Sequence, residues 1–298
     1  MWVDFCFMRV WRPVRRTAAL CGLAFLMAGS VHAEEKVLRV FPSGMIYEYR
    51  WKLLELALQR SPHYGPVRLQ AINEDMTQAR ASLLLQSGDI DVLAFGTNAD
   101  REDLMQPIKI DILRGIVGYR LLIIRSEDQP RIEKMTAARM RKELLFGLNS
   151  QWADLPIMQA NGFVVETSPG YDNLFAMLDA HRFDAFPRGL NEAQRELEQQ
   201  AHKFPQLRIE HSKALYFPYP VYFWVSKKNT LLAMRIAQGL KRSLADGSFR
   251  RLFEKYHAKE IESLKAQKRT VIRLSNPLLP KAEVPDTSWW WPSVQVDR

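Results

Sequence analysis

The sequence predicts an α/β protein with mostly parallel sheets. Short apolar runs typical of strands alternate with longer segments typical of amphipathic helices, and loops containing glycine, proline or serine separate many of them. The chain has 298 residues, of which 47% are hydrophobic and 25% are charged. That length is enough for a large core in one or two domains. The composition excludes a disordered, collagen-like or disulfide-stapled protein.

The first 33 residues have the layout of a secretory signal peptide. A basic stretch at residues 9–16 precedes an apolar run at residues 17–27, and small residues follow as far as Ala33. We therefore expect export to the periplasm, with residues 1–33 as signal peptide and cleavage after Ala33. The apolar run is short for a helix that spans a bilayer. An uncleaved N-terminal anchor is the alternative.

Cleavage after Ala33 changes the charge and the cysteine content. Both cysteines, Cys6 and Cys21, lie in the predicted signal, so disulfides and thiol chemistry are excluded for the mature chain. The whole chain carries +9, and removing four arginines and one aspartate leaves +6. No basic helix with interleaved base-reading residues accompanies this charge, so we expect no nucleic-acid partner. The histidines lack the spacing of metal ligands, and we predict no metal and no cofactor.

In the first part of the mature chain, strands and helices alternate. Strands are predicted at residues 37–41, 67–72 and 91–95, and helices at residues 47–59 and 76–86. The first helix places Trp51, Leu54 and Leu58 on one face, at the spacing of an apolar stripe. Gly88 follows the second helix, because glycine accepts the left-handed backbone of a helix C-cap.

The remaining segments continue the alternation, which is the pattern of crossover units and parallel sheets. Strands are predicted at residues 116–125, 144–148, 164–166, 183–186 and 219–226. Helices are predicted at residues 136–142, 155–161, 171–180, 192–201, 231–246 and 248–256. After Lys265, four prolines and three consecutive tryptophans indicate an extended tail.

Three segments, in order, resemble one known family. Residues 81–93 (ASLLLQSGDIDVL) form a helix, a glycine stop and a strand, and residues 178–185 (LDAHRFDA) repeat that device. Residues 225–256 begin with VSKKN, continue as a long helix, and end with ADGS and FEKY. Together they resemble the family 3 periplasmic solute-binding proteins, the amino acid receptors of ABC transporters, over about residues 36–258.

The resemblance implies a two-lobed periplasmic-binding-protein fold of type II, whose lobes close on a ligand about a hinge. Residues 34–118 with 220–264 would form lobe 1. Residues 119–219 would form lobe 2, with hinge crossings near residues 119–123 and 216–219. The tail at residues 265–298 would pack on lobe 1. The ligand would lie between the lobes, where strand ends and helix starts converge.

The resemblance also implies a carboxylate-binding arginine on lobe 1, at Arg101. A guanidinium group binds a carboxylate through two parallel, charge-assisted hydrogen bonds. Thr97 and nearby backbone N–H groups would assist, and Tyr47 or Phe41 would stack on the ligand. The alternative for Arg101 is a surface ion pair with Asp100 or Glu102.

On lobe 2, Asn149 and Ser150 match a family loop at a helix start, where free N–H groups favour an anion. Either residue could instead cap the helix. Family receptors carry an aspartate after the second strand of this kind for the ammonium group of the ligand, and no carboxylate falls there in this sequence. Arg188 stands close by and favours a ligand with an anionic group. Pairing of Arg188 with Glu192 or Asp172 is the alternative, and Glu192 would supply the missing acid only if the loop were shifted.

We therefore predict a solute-binding protein without catalytic residues that captures a small, polar, carboxylate-bearing ligand for an ABC transporter. The expected partners are that ligand and a membrane permease or sensor, and we expect a monomer. One alternative is a soluble ligand-sensing partner of a membrane signalling protein. A more distant one is a cyclic-acid dehydratase on the same fold, with Glu48, Glu74 or Asp172 as acid or base.

Overall fold

The computed structural model describes residues 35–42, 44, 47–61, 64–73, 76–150, 152–266, 268–279 and 290. The chain divides into two units between Ala33 and Glu34, and every described residue belongs to the second. The predicted signal peptide lies outside the described residues. Among the helices that the structure describes, none combines the length and the apolar character needed to cross a bilayer.

Strands and helices alternate along the described chain, as predicted. The strands are β1 Lys36–Phe41, β2 Val67–Ala71, β3 Val92–Gly96, β4 Gln106–Ile108, β5 Tyr119–Arg125, β6 Leu145–Asn149, β7 Val164–Ser168, β8 Phe186–Gly189, β9 Leu207–Ile209, β10 Lys213–Tyr216, β11 Val221–Val225 and β12 Thr270–Arg273. The helices are α1 Glu48–Gln59, α2 Gln78–Ser87, α3 Ala99–Leu104, α4 Gln129–Glu133, α5 Ala137–Glu143, α6 Asp154–Ala160, α7 Tyr171–Asp179, α8 Ala193–Gln200, α9 Thr230–Ala245, α10 Ser248–Tyr256 and α11 Ala258–Ala266.

Sheet 1 has the strand order β2-β1-β3-β11-β4. Strand β1 pairs in parallel with β2 and β3, whereas β11 pairs antiparallel with β3 and β4. The helices α1, α9 and α10 supply buried side chains to one core cluster with this sheet, including Leu53, Ile236 and Phe249. The prediction of mostly parallel sheets is therefore wrong for the half of sheet 1 that β3, β11 and β4 form. Strand β11 reaches sheet 1 from a direct connection rather than through a crossover helix.

Sheet 2 has the order β12-β10-β5-β8, and β9 pairs with β5 as well. Strand β5 is antiparallel to β8, β9 and β10, so the prediction of mostly parallel sheets is wrong for sheet 2 as well. Strands β6 and β7 form a separate parallel pair. An isolated parallel β-bridge joins Phe146 of β6 to Ala185, the residue before β8. Strand β8 begins at Phe186, where the predicted strand ends. Residue Asp184 is held against β6 instead, since its backbone N–H donates to the Leu145 carbonyl oxygen at 2.7 Å.

Two short stretches of chain connect the sheets, and the longer segment from β11 to β12, with α9, α10 and α11, also runs from sheet 1 to sheet 2. The first connection, residues 109–118, runs from β4 to β5 and includes a 3-10 turn at Ile116–Gly118. The second connection, residues 217–220, runs from β10 to β11. It falls at the second predicted crossing, whereas the first predicted crossing at residues 119–123 lies inside β5. The strand predicted at residues 116–125 includes both this 3-10 turn and strand β5.

The buried carboxylate of Asp111 joins the two connections. Its Oδ1 atom accepts hydrogen bonds from the N–H groups of Leu113 and Val221, each at 3.0 Å, and its Oδ2 atom accepts one from Gly115 at 2.6 Å. Burial raises the pKa of Asp111 to about 6, against the lowering effect of those hydrogen bonds and of Arg50. One side chain therefore links the first connection to the start of β11.

The C-terminal segment differs from the predicted tail on lobe 1. Strand β12 pairs in parallel with β10, the Leu274 N–H donates to the Tyr216 carbonyl oxygen at 2.7 Å, and Ile272 and Leu274 are buried in the core beside sheet 2. The edge of β10 would otherwise leave backbone groups unpaired, which is the physical reason for the added strand. Trp290 is 1% exposed and belongs to the core cluster that contains Leu53.

Candidate functional site

Four arginines surround the two connections between the sheets, and we call them the arginine cluster. Its members are Arg50 on α1, Arg101 on α3, Arg120 on β5 and Arg188 on β8. Their charges act on shared neighbours, because Glu192 is influenced by Arg188, Arg120 and Arg50, and Tyr219 by Arg101 and Arg120. Residues from both sheets therefore contribute to one electrostatic site.

Arg101 and Thr97 follow the end of β3. Asn98 caps α3 by accepting the Arg101 backbone N–H at 2.8 Å, which starts the helix directly after the strand. The guanidinium group of Arg101 donates to the Gly96 carbonyl oxygen and to Oε1 of Gln78. The Thr97 hydroxyl group is buried and donates to Oε1 of Glu102 at 2.9 Å. Neither Asp100 nor Glu102, the alternative partners of Arg101, forms a described ion pair with it.

Tyr47 precedes α1 and lies beside Arg50. The guanidinium carbon of Arg50 is 4.6 Å from the centroid of the Tyr47 ring, and its Nη1 atom donates to the Ala94 carbonyl oxygen at 2.7 Å. Burial lowers the pKa of Arg50, while Tyr47 and Glu192 act in the opposite direction. Sequence reasoning missed Arg50, whose only signal was its position one turn after Tyr47.

Tyr219, on the second connection, also lies in the site. Its hydroxyl oxygen would be only 2.6 Å from a Cβ atom at Gly96, so the ring passes directly over that glycine. Arg101 acts electrostatically on the Tyr219 hydroxyl group. No sequence motif marks Tyr219 as a neighbour of Arg101.

Arg120 and Asp154 form an ion pair on the sheet 2 side. The Nε atom of Arg120 is 2.7 Å from Oδ1 of Asp154, and its Nη2 atom is 3.2 Å from Oδ2. The same guanidinium group donates to the Val117 carbonyl oxygen and lies over the Phe217 ring. This pair bridges the start of β5 and the first turn of α6, so it places a compensated charge beside both connections.

Asn149 and Ser150 end β6 but use their described hydrogen bonds locally. The Asn149 side-chain amide donates to the Pro169 carbonyl oxygen at 2.9 Å. The backbone carbonyl oxygen of Asn149 accepts the Trp152 N–H at 3.1 Å. The Ser150 N–H donates to the Ser168 carbonyl oxygen at 3.1 Å. The acid in the first turn of α6 is Asp154, which is paired with Arg120.

Arg188 is paired with two glutamates. Its Nε and Nη2 atoms donate to the two carboxylate oxygens of Glu196 at 2.6 and 2.7 Å, and Nη2 is 3.1 Å from Oε2 of Glu192. Its guanidinium carbon lies 4.3 Å from the centroid of the Trp152 ring, and the residue is buried. The geometry matches the alternative of pairing with Glu192 and gives Arg188 a supporting position.

Glu192 supplies a carboxylate where the strand at β8 ends. Because β8 is shifted, Gly189 is its last residue, and Oε2 of Glu192 accepts the Gly189 N–H at 3.1 Å. Burial acts to raise the pKa of Glu192, but Arg188, Arg120 and the Gly189 N–H outweigh it, and the pKa is lowered. Strand β8 begins three residues later than the predicted strand, and Glu192 follows its end.

No group of three or more histidine, cysteine, aspartate or glutamate side chains suited to a metal ion occurs among the residues that the structure describes. The side chains described at the site are guanidinium groups, a carboxylate and phenol groups. Such groups bind small polar molecules through charge-assisted hydrogen bonds.

No protein-family model and no curated protein matches the chain. Solved structures do match it. The VFT2 domain of Bordetella pertussis BvgS, as a double mutant, is 18% identical with a TM-score of 0.53, over 74% of this chain and 92% of that one. An ancestral arginine-binding protein bound to glutamine is 17% identical with a TM-score of 0.52, over 75% of this chain and 98% of that one.

A third similar structure is the ancestral amino acid-binding protein AncCDT-1, described as a precursor of cyclohexadienyl dehydratase. It is 12% identical with a TM-score of 0.51, over 74% of this chain and 94% of that one. These structures are two-lobed solute-binding domains of the kind that the sequence resembles. At such identities they show the fold, and the prediction of a two-lobed α/β fold is confirmed.

Proposed function

We propose that residues 34–298 act in the periplasm as a solute-binding protein that captures a small carboxylate-bearing ligand between the two lobes. The chain resembles receptors of this kind in its sequence motifs and shares their fold. The lobes correspond to sheet 1 and sheet 2 with their helices, joined by the two connections. Lobe closure about those connections completes the site.

The observation that carries this proposal is the unequal pairing of the four arginines. Arg120 and Arg188 are paired with carboxylates on the sheet 2 side. Within the described part of the chain, Arg50 and Arg101 form no ion pair, and their described acceptors are neutral oxygens. Two half-buried guanidinium groups without a counter-ion favour an anionic ligand group. A carboxylate suits them better than a metal or a hydrophobic ligand.

The other end of the ligand would face Glu192. That carboxylate is about one third exposed, whereas Glu196 and Asp154 are committed to Arg188 and Arg120. A group that donates hydrogen bonds, such as an ammonium, an amide or a hydroxyl, fits this position. The site therefore favours a ligand that combines a carboxylate with a hydrogen-bond donor, and amino acids form one such class.

A thermal-shift screen of residues 34–298 tests the proposal. The screen compares amino acids, dicarboxylates, amines and aromatic acids, because a ligand that binds the folded state raises the unfolding temperature. We expect hits among carboxylates but none among the matching amines without a carboxylate. Arg101→Ala and Arg50→Ala should abolish the shift, whereas Arg139→Ala, at an exposed pair with Glu143, should not. An unchanged shift in Arg101→Ala would refute the site assignment.

The identity of the membrane partner would distinguish a transport function from a signalling function. If the ligand-bound chain stimulates an ABC permease in vesicles, transport is the function, and activation of a membrane sensor identifies the alternative. The dehydratase alternative is weaker, since Glu48 is exposed and accepts the Tyr256 hydroxyl group at 3.0 Å, and Asp172 is also exposed. Glu74 lies outside the described residues. Incubation with prephenate and arogenate should give no loss of water or carboxylate.

A further inference from the structure

We infer that Tyr219 is a positioning residue that orients Arg101 and couples it to the second connection between the sheets. This inference rests on the proposed function, because Arg101 is the proposed carboxylate-binding residue. It adds a residue on the hinge side of the site and a route by which lobe movement reaches the ligand.

The close approach is between the Tyr219 ring and Gly96. A Cβ atom at position 96 would lie 2.6 Å from the Tyr219 hydroxyl oxygen and as close to the ring carbons, which is shorter than real Cβ atoms approach other atoms. The φ angle of Gly96 is not in the left-handed region, so the ring alone demands a glycine here. The carbonyl oxygen of Gly96 also accepts a hydrogen bond from Arg101. Tyr219 and Arg101 thus meet at the same residue.

The second connection is anchored on both sides of Tyr219. The Pro220 carbonyl oxygen accepts the Thr97 N–H at 3.0 Å, which ties the connection to sheet 1. The Pro218 carbonyl oxygen accepts the Asn276 side-chain amide at 2.8 Å, which ties it to the segment after β12. The Tyr219 ring packs against the core cluster beside sheet 2 and meets the Phe217 ring edge-on at 6.2 Å. The phenol group therefore lies between the two lobes in a set position.

The phenol group can hold Arg101 without neutralising it. Burial raises the pKa of Tyr219, although Arg101 acts to lower it, so the hydroxyl group stays uncharged at neutral pH. A guanidinium group has five N–H donors, and the acceptors on Gly96 and Gln78 take two, which leaves donors that the nearby Tyr219 hydroxyl group can orient. Donors remain for a carboxylate. A movement of residues 217–220 during lobe closure would reorient Arg101 and change its fit to the ligand.

Two variants separate the hydroxyl group from the ring position. Tyr219→Phe removes the hydroxyl group and keeps the ring, and Gly96→Ala keeps the hydroxyl group and displaces the ring. Tyr64→Phe is the matched control, because Tyr64 also lies beside an arginine, Arg235, but outside the site. The first measurement is the rate at which phenylglyoxal modifies Arg101, followed by mass spectrometry of its peptide. It needs no ligand and reports the freedom of that guanidinium group.

We expect both variants to increase the modification rate of Arg101 severalfold, while the rate at Arg139 and the unfolding temperature of Tyr219→Phe stay unchanged. Calorimetric titration with L-glutamate, succinate and benzoate should show about tenfold weaker binding in Tyr219→Phe for whichever probes bind the parent chain. An unchanged modification rate in both variants, or an unchanged affinity in Tyr219→Phe, would overturn the inference. If none of the three probes binds the parent chain, the proposed function fails, and the modification rates still decide the role of Tyr219.

Discussion

The carboxylate of Glu192 occupies the space that a side chain on Gly189 would take. Its Oε2 atom lies 2.9 Å from the position of a Cβ atom on Gly189 and accepts the N–H of that glycine at 3.1 Å. A glycine at the end of β8 and a glutamate three residues later thus place one carboxylate at the strand end. The family that the sequence resembles places an aspartate after this strand, so the acid here comes from another position.

Glu192 should determine which ligands bind. Glu192→Gln keeps the size and the acceptor oxygen but removes the negative charge between Arg188, Arg120 and Arg50. We expect amino acids to bind about tenfold more weakly, because a charge-assisted hydrogen bond to the ammonium group is lost. Dicarboxylates should bind more tightly, because the repulsion by Glu192 is removed. Calorimetric titration with L-glutamine and succinate measures both, and equal changes for the two ligands would contradict this role.

The Arg188–Glu196 pair should be important for stability. Both side chains are buried, so Arg188→Met leaves Glu196 as a buried charge with its partner removed. We expect a loss of about 3–5 kcal/mol in the free energy of unfolding, measured by urea denaturation. The double variant Arg188→Met, Glu196→Leu should lose less than the single variant. Arg139→Met, which breaks an exposed Arg–Glu pair, is the control and should have little effect.

The raised pKa of Asp111 predicts that the free energy of unfolding depends on pH. Its pKa is raised from 3.8 to about 6, so the folded state binds the proton more tightly than the unfolded state. The stabilisation is fully present below about pH 4 and is lost as the pH rises through about 6, by about 3 kcal/mol in total. The difference in unfolding free energy between the parent chain and Asp111→Asn should fall by this amount between pH 4 and pH 7. A difference that does not change with pH would show that Asp111 is not the titrating group.

Trp290 should anchor the end of the chain. It is 1% exposed in a core cluster, so Trp290→Ala should reduce the free energy of unfolding by about 3–5 kcal/mol. Urea denaturation measures the loss, and Leu231→Ala, at a leucine that is 57% exposed, is the control that should change little. If Trp290→Ala behaves like the control, the residue does not contribute to the fold.

The sequence predicted the longer elements because each carries its own local signal. The apolar stripe of α1 and the positive φ angle of Gly88 after α2 are as expected. Short elements such as β4, β9 and β12 have three or four residues, too few for a periodic pattern. Their formation depends on partners elsewhere in the chain, as β12 depends on β10. Position in the sequence contains little information about such pairings.

The candidate site was predictable only where a motif marked it. Arg101 and Thr97 follow a recognisable strand and lie at the junction of the sheets. The pair of Arg120 and Asp154 joins residues 34 positions apart, and no spacing rule indicates it. The contribution of Glu192 depends on β8 beginning at Phe186, and an error of three residues in a strand boundary was enough to hide it.

The pairing of β12 with β10 has a consequence for the order of synthesis. A chain made from its N-terminus produces β10 more than fifty residues before Thr270, the first residue of the strand that covers its edge. During that interval the N–H and C=O groups along β10 can pair with a strand of another chain. Nascent or prematurely terminated products that end before β12 should therefore aggregate through this edge, and a holding chaperone that binds extended segments would protect it.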